Sequence, residues 1–136
     1  MKVLFLDIDG VCNAASTSQR HRGMIGIDPV MAFRIGKIQL DTDCEVVLSS
    51  SWRNWPEGKA EVERQVVQCF DVTPSAPDGF RGTEIRMWLD KHPEVTRYAI
   101  VDDSTDFWEG QPLFKTEWLV GITDEIAKQI TDYLNE

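Results

Sequence analysis

The sequence predicts an α/β fold: a mostly parallel, doubly wound sheet held between layers of helices as a three-layer sandwich. Three observations predict it. The runs VLFL, EVVL and YAIV, at residues 3–6, 45–48 and 98–101, lack polar alternation, as expected of strands buried on both faces. Segments with helical spacing separate them, so strand and helix alternate along the chain. The chain has 136 residues, 42% of them hydrophobic and five of them tryptophan, which is material for one core and a single domain over 1–136.

Taken in order, VLFL leads into Asp7, Asp9 and Gly10, and residues 12–27 read as an irregular excursion over the sheet edge. Asp28 and Pro29 make a cap and first position for a helix with Met31, Ile35 and Ile38 on one face. EVVL is the next strand, ending in Ser49, Ser50 and Ser51. A second helix carries Val62, Val66, Cys69 and Phe70, a short strand fits 70–73, and TPSAPDG at 73–79 is a loop signal. The third helix follows Gly82 and Thr83 and presents Ile85, Trp88 and Leu89 before His92 and Pro93 stop it. YAIV runs into Asp102 and Asp103, and WLV at 118–120 reads as a last buried strand. A closing helix from Thr123 has Asp124 and Glu125 in its first turn and Ile126, Ile130, Tyr133 and Leu134 along one stripe.

Composition narrows the function classes. A formal net charge of −9 disfavours extensive contact with nucleic acid or an anionic membrane, since such contact draws on lysine and arginine. The apolar runs are far shorter than the roughly 20 residues of a membrane span, and no charged start leads into a signal-type stretch, so a cytoplasmic location is expected. Cys12, Cys44 and Cys69 are odd in number and lack C-x-x-C spacing, which fits reduced, buried thiols.

The chemistry sits at the strand exits, where open α/β sheets bind ligands. Asp7 and Asp9 follow the first strand; Ser49, Ser50 and Ser51, then Trp52 and Arg53, follow the second; Asp102, Asp103, Ser104 and Asp106 follow YAIV. One acid pair is ordinary turn chemistry. Polar groups at three corresponding exits of neighbouring parallel strands converge on one edge, and a divalent cation there would offset the acids.

These residues resemble the haloacid dehalogenase (HAD) superfamily of phosphatases and phosphotransferases over nearly the whole chain. DIDGV at 7–11 corresponds to its first motif, VVLSSS at 46–51 to its second, and AIVDD at 99–103 to its fourth. The resemblance implies a HAD-like, Rossmann-type sheet with minimal or no cap domain, since 12–27 and 71–80 are too short to fold as one. The family's usual lysine ahead of the acid-pair strand is missing; Arg81 in FRGTEI is the nearest equivalent and Lys91 the alternative. Arginine grips phosphate bidentately where lysine acts as a point charge.

By resemblance, Asp7 attacks phosphorus to form an aspartyl-phosphate, and Asp9 protonates the leaving oxygen and then activates water. Magnesium (Mg2+) is the implied cofactor, held by Asp7, the Asp9 backbone carbonyl and Asp103, with Asp102 in support. Ser50, nearest the expected strand tip, is taken as the phosphate-binding hydroxyl; Ser49 lies one register step away, and only one of the two can face the site. Asp106 supports the site or caps the next turn. The DxDG start of a calcium loop does not apply, because Ser18 stands where that loop needs glutamate.

An open site suits a phosphorylated small molecule or a macromolecular end. SSSWR, RGTEI and VDDSTDF are more weakly similar to small HAD domains associated with RNA repair and phages. The expected activity is therefore magnesium-dependent phosphomonoester hydrolysis, with a polynucleotide 3′-end phosphatase as the alternative and a non-catalytic phosphate- or metal-binding module as a third reading. A receiver domain fits poorly, since its acceptor aspartate follows the middle strand, where this chain has serines. His21 and His92 are expected at the surface and the tryptophans in packing, with Trp52 and Arg53 able to border the substrate. Arg20, His21 and Arg22 read as a solvated basic loop.

Overall fold

A computed structural model describes residues 1–136. Five strands, β1 (Lys2–Leu6), β4 (Glu45–Leu48), β5 (Asp71–Val72), β6 (Arg97–Asp102) and β7 (Leu113–Lys115), form one sheet in the order β5-β4-β1-β6-β7. Every neighbouring pair in it is parallel. From β1 the chain moves outward to β4 and β5, then returns past β1 to β6 and β7. The switch in winding direction therefore falls between β1 and β6.

Strand alternation divides the core between the two faces. Leu4, Leu6, Val46, Leu48, Ala99 and Val101 point toward α1 (Pro29–Thr42), α2 (Pro56–Gln65) and α4 (Asp124–Leu134), meeting Ile35, Ile38, Val62, Ile130 and Leu134. Val3, Phe5, Val47 and Ile100 point the other way, against Ile85 and Trp88 of α3 (Arg81–Asp90). The three layers are those expected, and there is no cap domain.

Local chemistry sets the helix ends as the sequence predicts. The Asp28 carboxylate accepts from the N–H groups of Val30 and Met31, with Pro29 in the first turn of α1. Thr123 caps α4 through Ile126 N–H. The second helix ends earlier than expected, at Gln65. Glu63 takes the Cys69 N–H and Phe70 N–H bonds to Val46 O, so residues past Val66 turn back toward β5 instead of extending the helix.

WLV is not a strand. Val120 and Gly121 both donate to Glu117 O, folding 117–121 into a tight turn with Gly121 at a φ of +72°, and Trp118, Leu119 and Val120 are exposed. The last strand is Leu113–Lys115, paired on one side to β6. Three residues on a sheet edge carry too little apolar signal to stand out from the sequence. The 12–27 excursion contains a two-residue hairpin, β2 (Arg20–His21) with β3 (Met24–Ile25). His92 is not a free surface group: it stacks on Trp88 at 3.7 Å and bonds Glu94 at 3.0 Å. Cys12 and Cys44 are buried and Cys69 half-buried, all unpaired. No helix is long and apolar enough to cross a membrane.

Trp88 joins the thinner layer to the sheet: it meets Phe5 edge-on at 5.5 Å and donates its Nε1–H to Asp71 at 2.8 Å. Trp88→Ala is predicted to cost about 3–5 kcal/mol of stability, read from the shift in urea midpoint.

Candidate active site

The sheet brings the three strand exits side by side. Asp7 N–H continues the β1 ladder onto Val101 O, and Ser49 N–H continues the β4 ladder onto Leu6 O. Alternation then assigns faces. Asp7 lies two residues beyond Phe5, Ser49 two beyond Val47 and Asp102 two beyond Ile100, all on the side covered by α3. Arg81, the first residue of α3, reaches the same side: its Nη1 lies 3.0 Å from Asp7 Oδ1 and 2.7 Å from Asp102 Oδ2.

Asp7, Asp102 and Asp103 each offer a carboxylate oxygen, and the three lie within 4.8 Å of one another. Burial, and then repulsion from Asp102, push the Asp7 carboxyl up to about 8, with Arg81 opposing the shift. Burial and Asp102 also raise Asp103. Burial works against the Arg81 charge, but Asp7 and Asp102 outweigh it and hold the guanidinium firmly protonated. One guanidinium against three clustered carboxylates leaves a deficit of positive charge.

That deficit and the donor chemistry fit magnesium, a hard cation that prefers oxygen. The one thiol close by, Cys12, is fully buried, and its proton is held more tightly than usual by burial and by Asp7 and Asp9. It is therefore neither a soft ligand nor a nucleophile. Gly10 makes the close approach possible: its φ is +85°, and a Cβ there would fall on the Asp103 carboxylate.

Asp9 lies outside this close cluster of three acids. Its Oδ1 accepts from Asn13 Nδ2 at 3.0 Å and its Oδ2 from Trp52 Nε1 at 3.3 Å. Asn13, fully buried, also takes Gly10 N–H on its Oδ1 and donates to Gly26 O, while Thr116 Oγ1 donates to Gly10 O. Asn13 and Thr116 thus fix the loop that carries both aspartates, and sequence reasoning missed both. Asn13, four residues after Asp9, carried a usable signal as an Asx-type turn residue; Thr116 carried none, because its strand was misplaced.

The two serines differ. Ser49 Oγ is buried without a hydrogen-bond partner, whereas Ser50 Oγ accepts from Trp52 N–H and caps the 3-10 turn Ser51–Asn54. Lys91 sits at the far end of α3, ten positions and about 15 Å of helix from Arg81. Asp106 is exposed and serves through its backbone, its carbonyl accepting Gly82 N–H at the start of α3.

The Arg53 guanidinium is engaged within the fold. It donates to Ser50 O, Thr73 O and Glu84 Oε1, and Glu84 takes Ala76 N–H, so one buried ion pair ties the loops after β4 and β5 to the helix that presents Arg81. His21, expected at the surface, is largely enclosed: it stacks on Trp52 at 5.5 Å with Nδ1 3.6 Å from Glu61. Exposed Arg22 pairs with Glu57, while Arg20 bonds its own loop carbonyls.

Residues 3–127 match the family described as the HAD domain in Swiss Army Knife RNA repair proteins. The chain belongs to this family. Comparison with curated proteins and with solved structures gives no significant match. Within this HAD domain the strand-exit acids and Arg81 occupy the switch point of the sheet, where ligands of doubly wound folds sit.

Two measurements probe the site. Arg53→Ala strands Glu84 in the interior and is predicted to cost about 3–5 kcal/mol in urea denaturation. The second concerns pH: folded Asp7 keeps its proton up to about 8, whereas the unfolded chain releases it near 3.8. Between those values the native state binds more protons, so without divalent cations this group's stabilising contribution is lost as pH rises. Thermal melts should show that slope, flattened in Asp7→Asn, and added Mg2+ should raise Tm more at pH 8 than at pH 6.

Proposed function

We propose that this HAD domain is a magnesium-dependent phosphomonoesterase working through an aspartyl-phosphate. The observation that supports it most is the convergence of Asp7, Asp102 and Asp103 with Arg81 at one strand edge. Asp7, Asp102 and Asp103 side chains and the Asp9 carbonyl would hold the cation. Bound magnesium supplies the positive charge that keeps Asp7 ionised and lets it approach an anionic ester.

Asp7 attacks phosphorus, forming a carboxyl-oxygen–phosphorus bond as the ester oxygen departs. Asp9, steadied by Asn13 and Trp52, gives its proton to that oxygen and later takes one from the water that hydrolyses the acyl phosphate. Arg81 binds a non-bridging phosphoryl oxygen from the α3 side. Ser49, in place of Ser50, is the hydroxyl partner: it shares the face of Asp7 and its Oγ lacks any protein acceptor or donor, while the Ser50 hydroxyl is engaged by the turn.

The family description names RNA repair, which supports a second, narrower reading that we add to it: the phosphorylated 3′ end of a nucleic acid as substrate. Turnover of a 3′-phosphorylated oligonucleotide against a small aliphatic phosphoester, each with and without Mg2+, tests both levels. Equal rates without the cation would reject the mechanism, and steady failure to turn over any phosphoester would favour a binding module. Asp7→Asn is predicted to remain folded and to lose at least about a thousandfold in kcat, because an amide cannot serve as the nucleophile. Retained turnover in that variant would remove Asp7 from its role.

A further inference from the structure

Beside Asp9 lies a recess of about 250 Å³ that the phosphoryl chemistry does not use. Trp52 and Trp55 line it, Trp118 and the β3 residues Met24 and Ile25 complete its apolar walls, and Ser51 and Asp9 are its polar groups. Its position is defined by the Trp52 Nε1–H bond to Asp9 Oδ2: the indole that lines the recess touches the carboxylate assigned to the leaving oxygen. Trp52 itself is 1% exposed and stacked by His21, so the aromatic surface open to a group departing past Asp9 is that of half-buried Trp55 and exposed Trp118.

We propose that this recess holds the nucleobase of the terminal nucleotide of a phosphorylated nucleic-acid end, an inference that rests on the assignment of Asp9 above. Three features favour a base over other leaving groups. The recess has indole walls, and every base offers a π-face that stacks on indole irrespective of sequence. Trp118 and Met24 are 40% and 48% exposed, large apolar side chains kept at the mouth by a tight turn and a two-residue hairpin, with Ala15 N–H bonded to Trp118 O. The net charge of −9 disfavours a long polyanion bound along its backbone, so recognition concentrates on one nucleoside at the end.

The test compares kcat/KM for adenosine 3′-monophosphate, glycerol phosphate and phenyl phosphate with Mg2+, alongside a tryptophan-fluorescence titration with adenosine itself. The expected result is a preference of about tenfold or more for the nucleotide over glycerol phosphate, and saturable quenching by adenosine. Trp118→Ala should lower that preference about tenfold and weaken the quenching, Trp118→Phe should retain most of both, and Met24→Glu should weaken both from a second wall. Equal kcat/KM for nucleotide and glycerol phosphate would overturn the inference while leaving the phosphatase reading intact. Phenyl phosphate matching the nucleotide would replace the base by a simple aryl group. Should no phosphoester turn over, the phosphatase reading fails, and the adenosine titration still decides the recess by itself: absent quenching rejects it.

Discussion

Two buried carboxylates, Asp7 and Asp102, share one guanidinium with the half-buried Asp103 clustered beside them, and that imbalance governs how the rest of the molecule is built. Charges removed from water must be paired or neutralised, and Arg81 can serve only part of the requirement. The sheet enforces the crowding. β1 and β6 are adjacent and parallel, so their exits put Asp7 and Asp102 on one face with no choice of side chain able to separate them. Such an arrangement is unfavourable for folding, and on the proposed reading an additional cation, followed by substrate, would complete it.

The parts of the fold that could be read from sequence are those where a single local signal agrees with the tertiary environment. β1, β4 and β6 are unbroken apolar runs because both of their faces are covered, and their polar exits stand out for the same reason. β7 was invisible because an edge strand of two half-buried residues and an exposed lysine resembles a loop, while Trp118–Val120 mimicked a strand through composition alone. The parity of Ser49 and Ser50 depends on where β4 ends, and a shift of one residue reverses it. Arg53 and Glu84 stand 31 positions apart, so their pairing is a property of the fold and has no local trace.

A site without a cap must be held still by its own loops. Asn13 and Thr116 fasten both sides of Gly10, and the Arg53–Glu84 pair fastens the serine loop to α3. Each support bonds mainly to backbone groups, which fixes the position of a loop more firmly than side-chain packing does. Misplacing a reacting group by about 1 Å can cost a hundredfold in rate. On the proposed reading, buried polar supports of this kind hold the reacting groups in place, Asn13 directly through its bond to Asp9 Oδ1 and the others through the loops.

Acidity and an aromatic recess are compatible on the proposed reading, because they address different distances. Repulsion from a chain of net charge −9 acts on the length of a polyanion and is weakened by salt within a Debye length of about 8 Å at physiological ionic strength. Stacking in a recess and coordination at the strand edge act only at contact, and neither needs an attractive surface potential. Affinity would then reside in the last nucleotide alone. Such a site ignores the body of a nucleic acid and discriminates at its terminus, which is the one feature that distinguishes a broken strand from an intact one.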